Sequence, residues 1–420
     1  MITSFLVSVT PLIAQPEIQH MTEVKDSIYD QSIGTVKVFR TGWELSHPII
    51  SFNSEESLNV IFDDFTEQMR YFEYTLVHCN ADWSVSDLYY NEYMEGFEYN
   101  SIYDSQYSTN TFFDYTHYSF HIPNEDVAIT KPGNYVLLVR IQGTEDVVFT
   151  RRFLVVDQRA NLEATVIRPR NPLYSETHQQ VEVIVNAGGL NINNPREDVW
   201  LNIYQNNRWD VALTDVKPDF TDENRLTFSN DISLVMPGGE EFHNFDMKSF
   251  KYQSADVAAI EYKNPYYHIY LKPDEVDRFK PYFYKEDLNG NYLVKNDEGS
   301  ESSIDADYMY VHFFVPMEEP LFETNVFVNG RFNSWARNEN NQMQYDATNK
   351  AYYLRLLLKQ GFYDYNFVMN DARTGEDVSI KYTSNHFETE NDYLIVVYYH
   401  DFSLRIDLPV GFKRVNSAKD

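Results

Sequence analysis

Residues 69–97 read MRYFEYTLVHCNADWSVSDLYYNEYMEGF, and how the first eleven are read decides the fold. Phe72, Tyr74 and Leu76 alternate with Glu73 and Thr75, which is the period of a half-buried strand. The same period decides the chemistry. His78 and Cys79 are neighbours in sequence, so on a strand they project to opposite faces. The imidazole cannot then activate the thiol, and a Cys–His dyad would need a second histidine. His117 and His121 exist, but no spacing recommends either. The expectation for Cys79, the only cysteine of the chain, is a buried, inert thiol with no internal disulfide.

Working outward, the same alternation recurs in TVKVFRTGWEL, SLNVIFDDF, YVLLVRIQG and DVVFTRRFLVVD, with Pro132-Gly133-Asn134 read as a turn. These segments predict one antiparallel sandwich over residues 28–157. EATVIRP, QQVEVIVNAGG, DVWLNIYQNN and RLTFSN open a second, expected over 158–315 and closing with MPGGEEFHNFDMKSF and a long tyrosine-rich connection. NVFVNGRFNSW, AYYLRLLLKQGFYDYNFVM and YLIVVYYHDFSLRIDL predict a third over 316–420. Helical periodicity is nearly absent; SDLYYNEYM alone suits a short helix, with Ser86 as its N-cap. The expected class is all-β, with tandem immunoglobulin-like β-sandwich domains.

Composition supports several packed cores: 43% of the 420 residues are hydrophobic and 16% aromatic. Thirty-three Tyr and 29 Phe favour strands over helices. Sixty-four acidic against 34 basic side chains give a formal charge of −30. That charge repels nucleic acid and anionic lipid, so neither is expected as a partner. At the N-terminus, MITSFLVSVTPLIAQPE carries an apolar run from Phe5 to Ala14 and then turns polar. Its length suits a signal-peptide core and is too short to span a bilayer, although no Lys or Arg precedes it. Residues 1–14 are therefore expected to be removed on export. N-terminal sequencing of the native protein should start at Gln15, and a start at Met1 would refute the cleavage.

No catalytic constellation emerges. One cysteine and eleven scattered histidines form no zinc pattern. His386, Glu388 and Glu390 fall on one face of a strand, where the plainer reading is a solvated face. Asp287, Asn289, Asn291 and Glu298 match positions one, three, five and twelve of an EF-hand loop. Tyr292 stands where the sharp turn wants glycine and Lys295 at the ninth position, so a hairpin turning at Asn289-Gly290 is preferred. There is no G-x-S-x-G elbow, phosphate-cradling glycine loop or H-E-x-x-H.

The order of several segments is more telling than any one of them. PIISFNSEESLNVIFDDF, FEYTLVHCNADW, EYMEGFEYNSIYDSQYSTNT, YTHYSFHIPNE and PGNYVLLV follow one another, and NPREDVWLNIYQNNRWD, PGGEEFHNFD and NHFETENDYLIVVYYH continue the series. From about Val36 to His400 the chain resembles the type IX secretion system plug family of Bacteroidetes. His243-Asn244 and His400 are less usual for it. The resemblance implies a non-enzymatic periplasmic protein of immunoglobulin-like domains. It implies docking on the periplasmic mouth of the outer-membrane translocon barrel, which the protein seals. No cofactor, metal, small-molecule ligand or membrane insertion is implied. Stiff aromatic side chains with polar tips suit such a contact. The aromatic loop after Ala81 supplies the candidate partner interface: Trp83, Tyr89, Tyr90, Tyr93, Phe97, Tyr103 and Tyr107. The plainer reading is that half or more of that loop's aromatics close the bottom of the first sandwich.

A rival belongs to another class. VFVNGRFNSW and the closing Gly361-x-Tyr363-x-Tyr365 strand resemble glycogen-binding modules, so a periplasmic carbohydrate-binding protein is the alternative. Trp335 would stack on a sugar while Asn333 or Asn366 held its hydroxyls. In that fold, however, the corresponding tryptophan usually fills space under the sheet, and a retained fold without sugar binding is expected.

Overall fold

The computed structural model describes residues 24–418 except 231, so the expected signal peptide lies outside the described residues. The chain is all-β and forms three sandwiches. In the first, one sheet orders Ser27–Ile28, Val147–Val156, Gly133–Ile141, Phe72–Cys79 and Asn100–Ile102, with Ile49–Ser51 parallel to Val147–Val156. The other orders Ile33–Arg40, Leu58–Asp64, Thr116–Ile122 and Ser105–Tyr107. Alternate residues meet between them. Phe62 of the second sheet packs its ring on Phe72 and Phe149 of the first, at 5.2 and 5.1 Å.

The other two sandwiches are not in series. Asn161–Ile167, His178–Asn186, Arg225–Phe228 and Phe220–Asp222 form one sheet of the second sandwich, with Val235–Pro237 alongside. Its partner sheet orders Ala212–Val216, Val199–Gln205, Asp392–Asp401 and Ile406–Asn416. The last two strands of the chain thus return to the second sandwich, and the third is inserted between Pro237 and Asp392. The expected boundary at 315/316 falls inside the strand Tyr308–Pro316, which pairs with Tyr266–Leu271 and Ala351–Lys359. It is corrected accordingly. Alternation tells a strand from a helix but not which sheet the strand will join.

The tyrosine-rich connection is also corrected, because it contains Val257–Lys263, Tyr266–Leu271 and Tyr308–Pro316. Their outward faces carry Tyr266, His268, Tyr270, Tyr310, His312 and Phe314, so aromatic residues occupy both faces and hide the period. The turn at Asn289-Gly290 is present, with φ of +51° and +79°. Only Tyr292–Val294 follows it as a strand, however, and that strand pairs with Gly361–Asp371 rather than with residues 282–288.

Two local expectations fail for steric reasons. Pro132-Gly133-Asn134 is the start of the strand Gly133–Ile141 and not a turn. A Cβ at Gly133 would lie 2.1 Å from His78 Nε2, so glycine is required by that ring. The short helix is Tyr90–Tyr93, and its Tyr89 N–H donates to Glu92 at 2.8 Å. Ser86 instead serves His78. Among the described residues, no helix is long and apolar enough to cross a membrane.

Candidate interface and interdomain joints

The opening stretch is a joint. His78 is buried, and burial pushes its pKa down to about 4. The Pro132 carbonyl can only accept, so His78 donates from Nε2 (3.2 Å) and Nδ1 accepts from the Ser86 hydroxyl (2.9 Å). Cys79 lies on the opposite face among Val77, Val136 and Leu138, and burial, reinforced by the Asp82 charge, pushes its thiol up to about 12. Native protein should react with a neutral-pH thiol reagent at least ~100-fold more slowly than unfolded protein. Cys79→Ser should leave function intact, and rapid labelling of the native state would overturn the assignment.

Beyond Cys79 the chain meets the second sandwich. The Ala81 N–H donates to Asp407 (3.2 Å), and Asn202 Nδ2 donates to the Ala81 carbonyl (3.1 Å). Tyr398 Oη donates to Asn134 (2.9 Å). Trp83, in the left-handed region at φ +67°, meets Trp209 edge to face at 5.1 Å. Val199–Gln205 and Asp392–Asp401 explain why this joint is tight. Leu201, Ile203, Ile395 and Val397 face their own core, while Trp200, Tyr204, Leu394, Val396 and Tyr398 face the first sandwich. Both strands are therefore apolar on both sides.

A second joint fastens the first sandwich to the third. Asp63, wholly buried, accepts from His117 Nδ1 (2.7 Å), Lys359 Nζ (2.7 Å) and Tyr308 Oη (2.6 Å). Burial alone would push its carboxyl up, but Lys359 and His117 outweigh it and hold the group below the usual carboxylate range. Lys359 also lies over the Tyr115 ring at 4.1 Å. Asp307 accepts from the Phe112 and Phe113 N–H groups at 2.9 and 3.0 Å, and Tyr115 Oη donates to the Ala306 carbonyl at 2.8 Å. Asp63 thus takes one donor from its own sandwich, His117, and two from the third, Lys359 and Tyr308.

The seven candidate contact residues separate. Tyr93 is 2% exposed, donates to the Leu76 carbonyl (3.0 Å) and belongs to the first core. Tyr90 packs against that core, and Trp83 lies in the joint described above. Tyr89, Phe97, Tyr103 and Tyr107 are exposed at 53, 80, 78 and 58%. Tyr103 bridges the edge strand Asn100–Ile102 of one sheet and the edge strand Ser105–Tyr107 of the other. Phe72 pairs with Ile102, which brings exposed Tyr71 beside Tyr103. Tyr71 and Tyr103 form an aromatic rim on the open edge of the first sandwich, and Tyr89, Phe97 and Tyr107 are exposed elsewhere on the same domain. Tyr71 was missed in the sequence because it precedes a strand outside the loop. Exposed Phe279 and Phe283, on the segment after Leu271, were missed inside the tyrosine-rich connection.

The remaining candidates find structural roles. Trp335 is 7% exposed, under the Arg208 guanidinium at 4.6 Å and against Gly290, where a Cβ would lie 2.3 Å from its ring. Asn333 is spent on the Gly330 N–H and the Val328 carbonyl. A sugar has no ring face to stack on there, and the carbohydrate reading is unsupported. Glu388 pairs with Arg168 (3.5 Å), and among the described residues no three His, Cys, Asp or Glu converge as a metal site.

Three interlocked sandwiches, with polar clusters between them and exposed aromatics on the first, make up the chain. Residues 33–157 match the type 9 secretion system plug protein 1st domain. The chain is also similar to the crystal structure of a hypothetical protein from Parabacteroides merdae ATCC 43184. That likeness has 31% identity and a TM-score of 0.90, over 94% of this chain and 99% of that one. A likeness to the C-terminal domain of the Streptococcus pyogenes antigen I/II-family protein AspA spans 91% of this chain and 98% of that one. At 6% identity and a TM-score of 0.15 it carries no argument. No curated protein matches. The chain belongs to the type IX secretion system plug protein family. That family is a component of an envelope-associated secretion system and not a family of enzymes.

Proposed function

We propose that the chain is a non-enzymatic periplasmic plug that binds the periplasmic opening of the type IX outer-membrane translocon barrel and seals it. The family match over 33–157 carries this reading, because the matched domain is the one with the exposed aromatic rim. A stopper must resist deformation, and each joint supplies rigidity through buried, hydrogen-bonded contacts rather than flexible linkers. Phe97, Tyr103 and Tyr107, with Tyr71 and Tyr89, are the anchors on the partner; Tyr93, Tyr90 and Trp83 hold the scaffold behind them. Large rings at the centre of a contact carry most of its energy.

The test is affinity capture of the translocon from native outer membranes by tagged chain. Wild type should recover the barrel. Phe97→Ala/Tyr103→Ala/Tyr107→Ala should lose roughly 100-fold in affinity at unchanged thermal stability, since anchors cost more than about 1 kcal/mol each. A deletion strain should be leakier to large solutes. Unchanged permeability together with no recovered barrel would leave the proposal without support.

A further inference from the structure

The three sandwiches meet at one small cavity of about 40 Å³, where four cationic side chains share the lining with the Asp26 carboxylate and the apolar Val36, Val38 and Pro48. The first contributes Lys37, Arg151 and Arg152, the second Asn207, and the third Tyr292, Arg331 and Trp335. Arg151 spends its guanidinium on the Ser27, Thr150 and Val36 carbonyls. Arg331 spends its own on the Asn291 side chain and the Val38 and Ser46 carbonyls. Among the described residues neither has a carboxylate in ion-pair contact, although the Asp26 charge acts on both. Lys37 is paired with Glu44 and Arg152 with Asp26, leaving four cations against two carboxylates. His47 nearby is buried and neutral, because burial and the charges of Arg414 and Arg331 push its pKa well down. Arginine does not discharge by losing a proton. A surplus of positive charge in a dry interior is costly unless a counter-charge sits beside it.

Two further groups point the same way. Trp335 and Tyr292 line the cavity and are more than nine-tenths buried, and their Nε1–H and Oη–H, like the Asn207 Oδ1 acceptor beside them, have no partner among the described residues. Indole N–H can only donate. A buried unpaired donor is rare in folded proteins and calls for an acceptor. The volume accommodates a monoatomic ion with a water or two and excludes an organic acid.

We propose that the cavity binds a halide-sized inorganic anion, chloride in its natural setting, held by Trp335 Nε1–H and Tyr292 Oη–H between the Arg151 and Arg331 guanidinium groups. The anion bridges the first and third sandwiches and fixes their relative placement. This goes beyond the plugging reading and does not depend on it.

The experiment uses the full chain in buffers of constant ionic strength in which gluconate, too large to enter, is exchanged for chloride or bromide. The wild-type Tm should rise by about 2–4 °C and saturate, because a ligand bound by the folded state alone stabilises it. Tyr292→Phe removes one donor without changing shape and should weaken the effect about tenfold in anion concentration. Arg331→Gln should abolish it. Crystals soaked in bromide should show an anomalous peak within hydrogen-bond distance of Trp335 Nε1. If Arg331→Gln fails to fold, the Tyr292→Phe titration and the bromide peak still decide. Identical Tm in gluconate and halide, or density at the site without anomalous signal, means that water fills the cavity and overturns the proposal.

Discussion

Lys359→Met will lower the unfolding free energy by about 3–5 kcal/mol, the cost of leaving a buried carboxylate without its cation. Asp63 and Lys359 are both almost wholly removed from water. Removing the lysine leaves Asp63 with two donors, His117 and Tyr308, and no permanent positive charge. Chemical unfolding followed by tryptophan fluorescence measures the loss. Tyr308→Phe removes a single hydrogen bond to the same carboxylate and should cost less, about 1.5–3 kcal/mol. The pair Asp63→Asn/Lys359→Met should recover part of the deficit, because it discards the charge together with its partner. The acid limb carries a further signature. A carboxyl held below its unfolded value contributes stability above about pH 4. That stability disappears as pH falls through the depressed folded value. Wild type should therefore weaken below pH 4, and Lys359→Met should lose that dependence. A Lys359→Met protein as stable as wild type would remove Asp63 from the joint.

This joint also revises what the aromatic loop is for. Phe112, Phe113 and Tyr115 look in sequence like continuations of the sticky run from Tyr89 to Tyr107. Instead they pack on Tyr262, Tyr266 and Tyr308 of the third sandwich, with ring centroids 5.5, 5.4 and 5.3 Å apart. The partners are about 150–200 residues distant, so no local pattern could reveal them. The same holds for His78-Cys79-Asn80-Ala81-Asp82-Trp83, whose meaning lies in Asn202, Trp209 and Asp407. What alternation does make legible is each strand with one face on its own core and one on water. It fails where the outer face is aromatic, as in Tyr266–Leu271, and it does not say which sandwich a strand joins, as with Asp392–Asp401. It is silent on insertion. Cys79 was readable because strand geometry alone separates it from His78. The candidate contact residues were readable in part, since exposure distinguishes Phe97 and Tyr103 from Tyr93 and spacing does not.

Asp364→Asn will stabilise the protein at pH 8 and change it little at pH 4–5. Asp364 is fully buried where the second and third sandwiches meet, and its Oδ2 accepts the Leu288 and Gly290 N–H groups. Its Oδ1 has no partner among the described residues. Burial first, and then the Asp287 charge, pushes its pKa up to about 8, against the opposing pull of the Leu288 and Gly290 N–H groups and, more weakly, of Lys285. Asp287 is itself raised to about 6 by burial and by Glu390 and Asp392, and burial raises Glu241 to about 7. These carboxyls crowd one seam. A group whose folded value lies above its unfolded value stabilises below the unfolded value, near pH 4. That contribution is lost as pH rises through the folded value. Wild type should thus weaken progressively from about pH 4 to pH 8. Asparagine keeps the acceptor for both N–H groups and removes the proton that the carboxyl must take up on folding. It should flatten this slope, with a gain of about 2–5 kcal/mol at pH 8 and almost none at pH 4. Urea midpoints of both proteins across that range decide the matter. If Asp364→Asn is the weaker protein at pH 8, the carboxylate is ionised there and its charge is needed.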